Sequence, residues 1–163
     1  MRYEAAMNLI DDSIMSLPAQ DQAIRSDLAK ALRQARGSQA RAAAHRVGEQ
    51  VRAQSGRHAN WDCRGSDAAS EGAINRAVAV LYGHAQEVEG AGLPWFDPRV
   101  GLSEEGHVVF EWWYDRNKLT LYVGDESIEY VSSWGPDMDD QMQAGVLSGN
   151  LLNLWTWLTL PPE

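Results

Sequence analysis

The chain has 163 residues, 44% apolar and 23% charged, with one cysteine and a formal net charge of −9. That length suits one domain with a real core, and the composition excludes wholesale disorder. No run approaches the roughly 20 apolar residues that cross a bilayer, no apolar signal core follows Met1-Arg2-Tyr3-Glu4, and the lone Cys63 leaves no intrachain disulfide, so a cytoplasmic protein with no membrane partner is expected.

Tyr3, Met7, Ile10, Ile14 and Leu17 recur at helical spacing and predict a first helix that ends at Pro18. A second helix is expected over residues 19–36, with Ile24, Leu28, Leu32 and Ala35 as its apolar stripe. Gly37-Ser38 supplies a stop and a cap for a third, to about Gln54, that buries only Ala40, Ala43, Ala44, Val47 and Val51. Such small side chains allow close approach, so the second and third helices are expected to form an antiparallel hairpin. Residues 55–66 show no periodicity and read as a linker. Ser66 or Asp67 can cap a fourth helix with a face of Ile74, Ala77, Val78, Leu81, Ala85 and Val88, finished by Gly90 and Gly92.

After Pro94 the period changes to two. Val108, Phe110, Trp112 and Tyr114 alternate with His107, Val109, Glu111 and Trp113, as do Leu119, Leu121 and Val123 with Lys118, Thr120 and Tyr122, and then Ile128 and Tyr130 with Glu129 and Val131. Asp115-Arg116-Asn117 and Gly124-Asp125-Glu126 are short turn sequences, so three antiparallel strands in a meander follow. A final helix over residues 148–158 presents Leu151, Leu152, Trp155 and Leu158 to the sheet. The expected class is α+β, with N-terminal helices, a three-stranded meander and a C-terminal helix.

Charge divides the chain in the same place. Residues 1–66 hold ten Lys/Arg against seven Asp/Glu, and residues 67–163 hold four against sixteen. Two regions are therefore expected: an Arg/Ala-rich helical region over 1–66 and an acidic α+β domain over 67–163.

Leu93-Pro94, Gly106, Val109-Phe110-Glu111-Trp112, Leu119-Leu121-Val123 and Ile128-Glu129-Tyr130 form a pattern over about residues 74–158. In these positions the chain resembles a scattered group of small, mostly uncharacterised bacterial and phage-borne proteins. The resemblance implies an α+β fold and carries no catalytic residues across. That group often travels on mobile or phage DNA, which implies an inhibitor or neutraliser role by analogy.

Motifs for chemistry are missing. One cysteine and four scattered histidines do not make a zinc set, and His58 with Cys63 is the only close pair. A calcium loop starting at Asp137 would need Gly at Met142 and Glu at Ser148. No nucleophile elbow, phosphate loop or dinucleotide glycine motif is present. Glu104, Glu105 and Glu111 could pair for acid–base work, but two fall in a turn. No enzyme, metal or cofactor is expected.

Binding remains. Arg33, Arg36, Arg41, Arg46 and Arg52 lie on exposed sides of the basic helices, where they are an ordinary solvated face, a contact for an acidic protein, or a phosphate-binding stripe. Val109, Trp113, Tyr122 and Val131 fall off the inferred core face. Either helices cover them, or they form an aromatic patch suited to a protein interface. The expected function is a non-enzymatic protein that engages a protein partner through this patch. A nucleic-acid-associated regulator docking through the Arg helices is the alternative, and a homo-oligomer is open.

Overall fold

A computed structural model describes residues 19–137 and 140–160. The helix expected over residues 3–17 lies outside them. Helix α1 spans Ala19–Ala53 and runs into a 3-10 turn at Gln54–Gly56. Helix α2 spans Glu71–Ala91, and strands β1 (Arg99–Leu102), β2 (Val108–Tyr114), β3 (Asn117–Val123), β4 (Ile128–Ser133) and β5 (Met142–Val146) precede helix α3 (Leu152–Thr159). The strands form one antiparallel sheet in sequence order, β1-β2-β3-β4-β5. The α+β class stands, with five strands where three were expected. Both additional strands lie at the edges, and both carry a glycine and too few β-branched residues to advertise themselves.

The expected hairpin is instead one continuous helix. A glycine inside a helix costs about 1 kcal/mol relative to alanine, too little to stop a helix whose next turns are packed. Gly37 is buried because α1 lies against α2 there, so close that a Cβ would collide with the Glu89 carboxylate. Arg41 then donates to that carboxylate at 2.7 Å. Ala40, Ala43, Ala44, Val47 and Val51 are buried as expected. The chain divides into two compact units, Met1–Ala35 and Arg36–Glu163. In the first, the stripe of Ile24, Leu28 and Leu32 is 54–60% exposed.

Residues 57–67 are a built loop and not a plain linker. Asn60 and Asp62 hold it: the Asn60 N–H donates to the Ser66 carbonyl, the Asn60 side chain accepts from Gly65 N–H, and the Ser66 hydroxyl donates to Asp62 at 2.6 Å. With Ser66 so used, the cap of α2 falls to Ser70, whose hydroxyl accepts from Ala73 N–H.

The core lies between one sheet face and the helices. Val108, Phe110, Trp112, Leu119, Leu121 and Val123 pack beneath Ile74, Ala77, Leu81, Ala85 and Val88 of α2 and Trp155 and Leu158 of α3. Tyr114, expected on this face, sits at its end and is 40% exposed. No helix among the described residues is long and apolar enough to cross a membrane.

These placements set a stability order. Leu121→Ala should lower unfolding free energy by about 3 kcal/mol, and Ser70→Ala by about 1 kcal/mol. Leu28→Ala should leave it within about 0.5 kcal/mol. Urea unfolding followed by tryptophan emission measures all three, and a large loss at Leu28 would contradict the exposure of that stripe.

Candidate protein-docking face

Strand register places every second residue on the sheet face opposite the helices. Three cross-strand rows result. The first is Gly101, Val109, Tyr122, Glu129 and Val146; the second is Arg99, Glu111, Thr120, Val131 and Ala144; the third is Trp113, Lys118, Ser133 and Met142. All four residues expected in an aromatic patch are therefore on one face. None belongs to the core cluster or the residues packed against it. Val109, Tyr122 and Val131 are half-buried by their neighbours, whereas Trp113 is 46% and Val146 63% exposed.

Charges hold this face in place. Lys118 donates to Glu111 at 2.6 Å and its ammonium lies 4.8 Å from the Trp113 ring centre. The Arg99 guanidinium lies 5.7 Å from the same ring. Trp113 is thus flanked by two cations, an arrangement that favours a fixed ring orientation at an open surface. Sequence reasoning missed Arg99 and Lys118 as members of the site. Arg99 could not be placed without β1, and Lys118 counted only as a polar alternate.

At the β1 end the face deepens into an open cleft of about 870 Å³, walled by Val109, Glu111 and Tyr122 and by Trp61, Asp62 and Arg64 of the built loop. The Arg57 guanidinium lies 4.9 Å from the Trp61 ring centre, and the Trp61 indole N–H is buried without an acceptor. Glu104 and Glu105 border the cleft with Glu111. The Ser103 hydroxyl lowers the Glu105 pKa, and Glu111 is paired with Lys118. Cys63 and His58 are both exposed, and no group of three metal-ligating side chains occurs among the described residues.

Three of the five stripe arginines stand beside a carboxylate. Arg41 pairs with Glu89, Arg46 approaches Asp97 at 3.6 Å, and Arg52 pairs with Glu49 at 2.6 Å. Arg33 and Arg36 are exposed on α1 and fall on opposite sides of the unit boundary. Pairing with carboxylates removes much of the positive potential that a phosphate chain would need.

Among the described residues, the one strongly perturbed titratable group is inside the core. His84 is 2% exposed and ringed by Trp155, Trp95 and Trp112 at centroid distances of 4.6, 5.6 and 6.1 Å. Neither ring nitrogen has a hydrogen bond, and Glu87 Oε2 at 3.8 Å from Nδ1 is too far to supply one. Burial lowers the His84 pKa from 6.5 to about 4. It also raises that of Glu87, against a backbone hydrogen bond from Leu151.

Comparison with family models, with curated proteins and with solved structures finds no match to this chain.

His84 gives the fold a pH signature. The unfolded state takes up a proton near pH 6.5 and the folded state resists until about pH 4, so stability falls as pH drops through that window. The full loss amounts to about 3 kcal/mol at 1.36 kcal/mol per pKa unit. His84→Phe should flatten the profile between these limits, and an unchanged slope in urea titrations of the variant would assign it elsewhere.

Proposed function

We propose that this chain is a non-catalytic binding protein that engages a protein partner through the outer face of its sheet. The observation that carries this reading is Trp113, half-open between Arg99 and Lys118 on a face that also bears Val109, Tyr122, Val131 and Val146. An aromatic anchor amid aliphatic side chains, with charged residues alongside, matches the anatomy of protein interfaces. Acidic residues on the C-terminal region would draw in a basic partner and reject acidic ones. A chain that binds in this way inhibits or neutralises by occupying its partner's surface, without chemistry of its own.

The test is a photo-reactive side chain introduced at position 131, used to trap and identify the partner in the native host. Binding of the purified pair is then measured. Trp113→Ala and Tyr122→Ala should each weaken it by about 2 kcal/mol if they are hot spots. Thermal melts should show Trp113→Ala as stable as the parent. Affinity equal to the parent's in both variants would remove the face from the interface. Duplex DNA bound tightly, with a slope of about −0.9 per phosphate in log K against log salt and lost in the Arg41→Glu, Arg52→Glu double variant, would replace this reading with nucleic-acid docking.

A further inference from the structure

The two edges of the sheet differ in a way the outer face alone does not explain. The Leu147 N–H donates to Ile128 at 2.8 Å and Trp134 N–H to Gln141 at 3.0 Å, which fixes the hydrogen-bonded pairs of β4 and β5. Gln143 and Gly145 therefore turn their backbone groups towards β4. Met142, Ala144 and Val146 turn theirs outward, and no further strand pairs with them among the described residues. Ala144 and Val146 are exposed.

Proteins usually guard an open edge with charge, proline, a bulge or a covering segment. Strand β1 has three such guards: Pro98 before it, Arg99 in it, and the loop through Trp61 and Arg64 beside it, tied on by Asp67 N–H donating to Glu104. Strand β5, Met-Gln-Ala-Gly-Val, has no charge and no proline. Its side chains at 142, 144 and 146 continue the rows of the outer face. At Gly145 the backbone passes close to the Tyr130 ring, where a Cβ would stand 2.9 Å from it, so this position of β5 takes no side chain.

Charge decides what such an edge accepts. After Lys118 the sequence holds seven Asp/Glu and no Lys or Arg. Glu129 lies exposed beside Val146, and Asp140 stands two residues before Met142. A second copy would bring two edges of the same sign together. We propose that the edge of β5 receives a sixth strand from a basic protein partner: an extended segment carrying Lys or Arg, with β-branched residues alternating on the outer face. This deepens the reading of that face as a protein interface and rests on it. Strand addition supplies backbone hydrogen bonds for affinity and lets the alternate side chains set specificity.

The test uses the full chain, isotopically labelled, and two capped peptides, Lys-Val-Thr-Val-Thr-Val-Lys and Glu-Val-Thr-Val-Thr-Val-Glu. The basic peptide should shift the amide signals of Met142, Ala144 and Val146 and slow their hydrogen exchange at least tenfold. The acidic peptide should leave them unchanged. Ala144→Pro removes an outward N–H that β4 does not use, and should abolish the response. Glu129→Lys should weaken it several-fold without touching the backbone, which keeps the test sharp if the proline variant distorts β5. No response at β5 up to millimolar peptide, an equal response to both peptides, or a response unchanged by both substitutions would overturn the proposal. So would peptide-free self-association mapped to β5, which would make a second copy the occupant. If the trapped partner depends on Trp113 yet binds Ala144→Pro and Glu129→Lys normally, strand addition fails while the face reading stands. If the peptide responses hold but partner binding ignores Trp113, the reverse conclusion follows.

Discussion

The Trp155 indole is fully buried at the point where α2, α3, the segment after α2 and the sheet meet. It touches His84 of α2 at 4.6 Å, Trp112 of β2 at 5.7 Å, Phe96 at 6.0 Å and Trp95 at 6.1 Å between ring centres. Its N–H donates to the Pro94 carbonyl at 3.0 Å, as that of Trp112 does to Phe96 at 3.1 Å. A buried aromatic of this size removes 150–250 Å² from water, and its polar edge must find an acceptor. The Pro94 and Phe96 carbonyls are those acceptors, so the segment leading into β1 is pinned to the core by two indoles. The price is His84, buried among the rings without a hydrogen bond and with its pKa lowered by that burial.

Concentrating the aromatics on one side has a consequence for the other. All three helices are committed to the face of Phe110 and Leu121, and α1 joins that core only through small residues of its C-terminal half. The rows of Val109, Glu111 and Trp113 take no part in that core. Those rows are kept ordered instead by pairings within the sheet, chiefly Lys118 with Glu111 and the two cations about Trp113. Individually such exposed pairs contribute little to stability. Their effect is on orientation, which is what a docking face needs.

Much of this was legible in the sequence, and where it was not the reasons are local. The alternation through Val108–Tyr114 and Asn117–Val123 placed both sheet faces correctly, because one face is strongly apolar and the turn residues are short. The buried face of α2 followed from its spacing, Ile74 through Val88. Gly37-Ser38 misled because glycine marks a helix end and a close helix contact equally, and only Glu89, 52 residues away in sequence, decides between them. Strands β1 and β5 were invisible because their pairing is imposed by β2 and β4, not by their own propensity. Register puts Val109, Trp113, Tyr122 and Val131 on one sheet face, but Arg99 and Lys118 beside them went unseen, since cross-strand neighbours depend on register.

Register also explains what opposes self-pairing at β5. An uncharged five-residue edge would ordinarily recruit its own kind, and lysine within the strand is the common deterrent. Here the deterrent lies beside the strand. Glu129 flanks one end on the neighbouring strand and Asp140 precedes the other, so two copies in antiparallel approach bring acids towards each other at both ends of the contact. A lysine inside β5 would repel basic segments and present a long side chain on the outer face. Acids outside it repel only like charge and leave the backbone groups of Met142, Ala144 and Val146 accessible. The same placement that opposes self-pairing therefore selects for a partner of opposite sign, and it does so at the end of the sheet where the rows of Tyr122 and Val131 run out to meet the incoming strand.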